Sequence, residues 1–321
     1  MPSANRSSVR DTWSVYATMF EDHLESVNAA PMTIRTYGIA VEQLGAYLRE
    51  QGMPADPTSV TREHLVEWMR YLQRPRKEGG QGLMAQTALQ RYRSVSRLFA
   101  WLVDIDEIPE SPMAKMKPPR VAEKMVPVIR QDHLQRLFKS VAGSDFEARR
   151  DKAIISLFLD CGMRIGEMAG IGVEDLDFEN REVMITGKGA RSRRPRFVRE
   201  TRMDLQRYLL SRARHPDADS GWLWLGRRGR LTASGMYRMV VRRCEEAGIP
   251  PVHPHMFRHT FAHEYLRAGG AEGDLMRVTG WRSRSMVDRY GASAASERAR
   301  EAHDEFSPRA RLGLGTRQGR R

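Results

Sequence analysis

Five prolines fall within the 21 residues from Ile108 to Val128, IPESPMAKMKPPRVAEKMVPV. Each removes a backbone donor and fixes φ near the extended region, so no helix or central strand can run through this stretch. The chain must therefore fold as separate bodies on either side of it. This places an interdomain linker at 108–128 between a domain at 12–107 and a second at 129–306, followed by a basic tail at 307–321 expected to be disordered.

The first body reads as helical throughout. Trp13, Tyr16, Phe20 and Leu24 recur at three- and four-residue steps, as do Ile34, Tyr37, Val41, Leu44 and Leu48. Thr61 can cap a third helix carrying Leu65, Met69 and Leu72, and Leu89, Tyr92, Val95, Phe99 and Leu102 mark a fourth. Amphipathic helices with short connections make a small four-helix bundle, and its aromatic stripes are expected to be core. Arg74, Arg76, Lys77, Arg91 and Arg93 lie off that stripe and are candidates for phosphate contact.

Beyond the linker, AIISLFLDCG is a buried helix ending at Gly162, and MRIGEMAGI opens another with Arg164 and Glu167 three apart on one face. EDLDFENREVMITGKGARSRRPRFV alternates around turn signals, which predicts a three-stranded antiparallel sheet with Lys188 at the turn between its last two strands. Helical patterns resume over Met203 to Leu210, Met236 to Glu246 and His255 to Arg267. Shorter helices are expected near Leu275 and Met286, and another from Ser293 to Glu305. The fold class is thus mainly α, with a small sheet in the second domain.

Charge narrows the partner. The chain has 53 Lys and Arg against 40 Asp and Glu, a net charge of +13. Between Arg181 and Arg243 stand 17 basic against 5 acidic residues, so one segment carries nearly the whole surplus. A local excess of this size points to a polyanion, whose neutralised phosphates release counterions. Arg191, Arg193, Arg194 and Arg196 are its densest run. The two cysteines, Cys161 and Cys244, form no metal or disulfide spacing, which fits a reducing compartment. No apolar run approaches the ~18 residues of a membrane span, and MPSANRSSVRD lacks the apolar segment of a signal peptide. A cytoplasmic protein is expected.

The stretch His253 to Tyr290, HPHMFRHTFAHEYLRAGGAEGDLMRVTGWRSRSMVDRY, sets His255 and Arg258 on one helical turn, then Trp281, then Tyr290. An arginine fork binds two phosphate oxygens, imidazole and indole add donors, and a phenol is either a phosphate contact or a nucleophile. Singly these residues decide nothing; the ordered set of RxGE, GKG, HxxRH, GW and a tyrosine nine residues on is specific.

At these residues the chain resembles the tyrosine recombinase (phage integrase) family, over roughly residues 12 to 306. The resemblance implies a core-binding (SAM-like) first domain and a catalytic second domain. It implies Arg164 and Arg258 as the two catalytic arginines, Lys188 as the hairpin lysine, His255 as the histidine, and Tyr290 as the nucleophile. Trp281 takes a position where most relatives have histidine, keeping a donor but no proton-transfer capacity. Glu167 and His259 are implied as supporting residues. The resemblance further implies site-specific recombination of double-stranded DNA through a 3′-phosphotyrosyl intermediate and a Holliday junction. The assembly would be a homotetramer whose C-terminal helices dock in trans. Type IB topoisomerases and hairpin-forming resolvases share similar active sites, and a DNA-binding protein that has lost the chemistry is the alternative outside enzymes. About eleven residues precede the first helix, which leans to the simpler Xer-like or transposon-type members.

Neither metal nor cofactor is expected. His255, His259 and His263 share a helical face, but there is no HExxH and no cluster of carboxylates to complete a site. Walker and dinucleotide glycine motifs are absent.

Overall fold

A computed structural model describes residues 11–121, 127–187 and 192–311. The chain forms two compact units, residues 1–123 and 124–321.

In the first unit, Asp11 starts α1 (Thr12–Ser26) by accepting the Ser14 N–H at 2.7 Å. Pro31 sits in the first turn of α2 (Pro31–Glu50), where its missing N–H removes no helical bond. α3 (Arg62–Gln73) and α4 (Ala85–Asp104) follow. The predicted stripes face inward: Trp13, Phe20, Leu44, Leu48, Leu65, Met69, Val95, Phe99 and Leu102 are buried in one cluster. Each large apolar side chain so buried stabilises the unit by about 1.5–3 kcal/mol. Trp13 also donates to the Val41 carbonyl at 3.2 Å, and its indole lies so close to α2 that a Cβ at Gly45 would run into the ring. The aromatic residues of these stripes are therefore core. The start of the proline-rich stretch is held on this unit by turns, with Ile108 and Met113 buried and Tyr92 donating to the Met116 carbonyl at 2.8 Å.

The second unit is built around α6 (Phe146–Cys161), which follows α5 (Gln131–Ser140). Ala153, Ile154, Ile155, Leu157, Phe158 and Cys161 are all buried, as the largely apolar run requires. Gly162 ends the helix in the left-handed region at φ 53°, donating to the Phe158 carbonyl at 3.1 Å. After α7 (Ile165–Ala169) come β1 (Leu176–Asp177), β2 (Glu182–Val183), β3 (Ile185–Thr186) and β4 (Ser192–Arg193).

The sheet differs in detail from the three-stranded expectation. Regular pairing is limited to two-stranded antiparallel ladders, β1 with β2 and β3 with β4. The run 181–186 is nonetheless flanked on both edges: Leu176 pairs with Val183, Ile185 pairs with Arg193, and Glu182 bridges to Arg196. Pro195 accepts from the Val183 N–H at 3.1 Å but has no N–H to return, so one rung is missing before the Phe197 N–H donates to the Arg181 carbonyl at 2.8 Å. A further hairpin, β5 (Leu225–Gly226) with β6 (Gly229–Arg230), was not expected.

The remaining helices are α8 (Arg199–Arg212), α9 (Ala233–Glu246), α10 (Pro254–Arg267), α11 (Glu272–Thr279), α12 (Arg284–Phe306) and α13 (Pro308–Arg311). α12 replaces the two separate helices expected around Met286 and Ser293 to Glu305. Gly291 stands inside this helix. A Cβ on it would stand 2.8 Å from Leu266 Cδ1, so glycine lets α12 pack closely on α10. The first residues of the expected disordered tail are helical in α13. No helix among the described residues is long and apolar enough to cross a membrane.

Candidate active site

Arg258, in the first turns of α10, is 2% exposed. Its Nη1 donates to the Gly162 carbonyl at 2.5 Å and its Nη2 to the Thr279 carbonyl at 2.7 Å. These carbonyls stand at the C-terminal ends of α6 and α11, where helix dipoles concentrate negative potential, so a buried guanidinium is stabilised there. The Trp281 ring lies 5.2 Å from the guanidinium carbon. Trp281 itself is 6% exposed and packs with Leu266, Leu275 and Val287 in a small core between α10, α11 and α12.

Two residues after Gly162, Arg164 occupies the N-cap of α7 with 46% of its side chain exposed. Its backbone N–H donates to Glu167 Oε2 at 2.8 Å and its Nη1 to Oε1 at 2.9 Å. Arg193 reaches the same carboxylate from β4, Nη1 to Oε1 at 3.0 Å and Nη2 to Oε2 at 2.7 Å. Burial alone would raise the Glu167 pKa. The Arg193 fork and the Arg164 N–H outweigh it and hold the group at about 2.

His255 stands one turn before Arg258. Partial burial, then the positive charges of Arg258 and Arg164, push its pKa below the ordinary imidazole range. Both guanidinium charges thus bear on one ring and disfavour its protonated form. His259 and His263 are buried in the body of α10. Among the described residues no group of three or more His, Cys, Asp or Glu is placed to hold a metal ion.

Arg164, Glu167, His255, Arg258 and Trp281 therefore converge from α7, α10 and the turn after α11. Lys188 and Arg191 lie outside the described residues, as does the side chain of Tyr290, whose backbone belongs to α12. Among the residues expected to meet phosphate, Arg74, Arg76, Lys77, Arg93, Arg194 and Arg196 are exposed. Arg76 and Arg196 each donate through Nε to a backbone carbonyl, Gln81 at 3.3 Å and Asn180 at 3.1 Å. Arg91 is partly buried, and that burial lowers its pKa.

Arg193 must be corrected. Its side chain is 13% exposed and points inward, so it is not a surface contact. Two further arginines of the same segment are internal as well. Arg212 donates to the carbonyls of Ala218, Ser220, Trp222 and Leu223, and Arg243 pairs with the fully buried Asp151. Charge counted along a sequence does not distinguish such residues from a binding face. The sequence reading also passed over Tyr237, which stacks on His253 with ring centroids 5.7 Å apart and bonds its Nδ1 at 3.1 Å.

The Glu167 carboxylate carries a pH prediction. Its folded pKa is depressed from 4.5, so the stability it supplies is present above pH 4.5 and lost as pH falls towards about 2. A shift of this size corresponds to up to about 3 kcal/mol. Glu167→Gln is expected to be less stable than wild type at pH 7, with the gap closing between pH 5 and pH 2. Urea unfolding across that range measures it, and a gap that stays constant with pH would contradict the assignment.

The phage integrase family model matches residues 127–297. The tyrosine recombinase XerC of Neisseria meningitidis serogroup B is 28% identical over 305 residues, covering 94% of this chain and 98% of that protein. Among solved structures, the XerH site-specific recombinase bound to a palindromic difH substrate matches with a TM-score of 0.71 at 19% identity, over 93% of this chain and 90% of that one. The Tn1549 transposon integrase in complex with transposon right end DNA matches with a TM-score of 0.68 at 21% identity, over 92% and 99%. At these identities the two structures speak for the fold.

Proposed function

We propose, from the premise that the chain belongs to the phage integrase family, that it is a site-specific DNA recombinase acting through a phosphotyrosyl intermediate. The observation that carries the reading is the pair of anchored arginines, Arg258 held by the Gly162 and Thr279 carbonyls and Arg164, two residues after Gly162, held by Glu167, with His255 one helical turn before Arg258. That set matches what attack on a phosphodiester requires. The arginines stabilise charge on the non-bridging oxygens as the transition state forms. The Tyr290 phenol oxygen bonds to phosphorus while the bond to the 5′ oxygen breaks. His255 takes the phenol proton and Lys188 gives one to the departing 5′ oxygen. The product is a 3′-phosphotyrosyl bond, which a second 5′ hydroxyl reopens by the reverse steps, so rejoining needs no nucleotide. Trp281 flanks Arg258 and shields it from water.

At the finer level, the working form is a homotetramer on two duplexes, passing through a Holliday junction. α12 packs on α10 of its own chain through Gly291 and Ala294, so docking in trans falls to its distal part, where Phe306 is 57% exposed. The domain at 12–107 contacts DNA through Arg74, Arg76, Lys77, Arg91 and Arg93, and the catalytic domain through Arg194 and Arg196. XerH and the Tn1549 integrase, whose structures were solved on DNA, support a double-stranded partner.

The test is covalent trapping. Protein incubated with a nicked random-sequence duplex library in the presence of a chelator is expected to give a detergent-stable adduct, and sequencing the trapped DNA should return one common site. Adducts scattered over all sequences would indicate topoisomerase-like nicking and resealing. Loss of the adduct in chelator, with the protein still folded, would indicate a metal-dependent nuclease.

A further inference from the structure

We infer that Arg193 is a positioning residue for strand cleavage, holding Arg164 and Arg258 at the spacing one phosphate requires; the inference rests on the recombinase reading above.

The register of the hairpin aims the side chain. Arg193 pairs directly with Ile185, which is buried, so both side chains lie on the inner face, while Arg194 falls on the outer face and is exposed. Inside, the planar fork meets two parts of the site at once. Its Nη1 and Nη2 take the two oxygens of Glu167, which also bind Arg164. Its Nε donates to the Val278 carbonyl at 3.0 Å. Val278 immediately precedes Thr279, whose carbonyl anchors Arg258 at 2.7 Å. Gly280 follows at φ 71°, and a Cβ there would stand 3.4 Å from Arg193 Nη1. The guanidinium thus presses against the turn that leads to Trp281.

A chain of direct hydrogen bonds therefore runs from Arg164 through Glu167 and Arg193 to the backbone that fixes Arg258. It joins α7, β4 and the end of α11, which are distant in sequence. Only an arginine can make it, because the link needs donors in three directions from one plane; lysine offers a point charge on a flexible stem. Phosphate charge is stabilised by donors already in place, and a displacement of about 1 Å costs about 100-fold in rate. Arg193 acts on the reaction through the two arginines and does not itself touch the phosphate.

The experiment compares wild type, Arg193→Gln and Arg193→Lys on nicked duplexes of the trapped sequence. One duplex carries the natural scissile phosphodiester and the other a methylphosphonate, which lacks one charged oxygen and so depends less on aligned guanidinium groups. Arg193→Gln is expected to form adduct about 100-fold more slowly on the phosphodiester but about tenfold or less on the methylphosphonate. Its affinity for the intact site should be unchanged, and Arg193→Lys should recover part of the loss. Equal losses on both duplexes would show a merely structural role and overturn the inference, as would a wild-type rate in Arg193→Gln. Should the glutamine variant not unfold cooperatively, Arg193→Lys carries the same comparison. A wild-type protein that forms no adduct on either duplex would instead remove the recombinase reading, and the inference with it.

Discussion

Replacing Tyr290 by phenylalanine is expected to abolish the covalent protein–DNA adduct, slowing cleavage by at least about 10⁴-fold, as removal of a nucleophile does elsewhere. Phenylalanine keeps the ring and removes only the attacking oxygen. Affinity for the trapped site should therefore stay within about twofold, since phosphate contacts elsewhere supply most of the binding. Gel analysis of the adduct, beside a binding titration, separates the two effects. Adduct formation by the variant at the wild-type rate would mean that another side chain is the nucleophile.

Arg258→Ala should show the second largest effect, and on two axes. The guanidinium holds the Gly162 and Thr279 carbonyls in a site that is 2% exposed, so its loss leaves both acceptors buried without this donor. Each is expected to lower stability by about 1–3 kcal/mol. Cleavage should fall by a further ~10²–10³-fold relative to the fraction folded, the usual consequence of removing one preorganised donor from developing charge. Arg258→Lys keeps the charge but cannot span two carbonyls, so it should regain more stability than activity. Denaturant unfolding and single-turnover cleavage report these separately. An alanine variant with wild-type stability would show that the guanidinium does not tie α6 to α11.

The sequence made the helices legible because their apolar faces repeat at helical spacing over many residues. It also made Arg164 and Glu167 legible as a pair, since three residues on one turn must share a face. Gly162 could be read as a stop because it follows a largely apolar run and glycine readily adopts the positive φ of a helix end. The role of Gly291 was not legible, because the close packing it permits depends on the position of Leu266.

Arg193 shows the deeper limit. It stands beside Arg194 in a run of like residues, and nothing local marks one as internal. Its direction depends on the pairing of β4 with Ile185. Its partners lie 26 residues before it and 85 after it. The regular ladder is interrupted for a comparable reason, because the effect of Pro195 depends on which neighbour would have received its missing N–H. The motif residues could be proposed from the sequence, while the residue that joins the supports of Arg164 and Arg258 became visible only through tertiary contacts.

The most direct measurement is mass spectrometry of the trapped adduct after nuclease and trypsin digestion. A nucleotide remnant joined through phosphate to Tyr290, in the peptide spanning residues 290–298, is the result expected from a tyrosine nucleophile. A remnant on any other residue, or cleaved DNA with no protein attached, would contradict the mechanism.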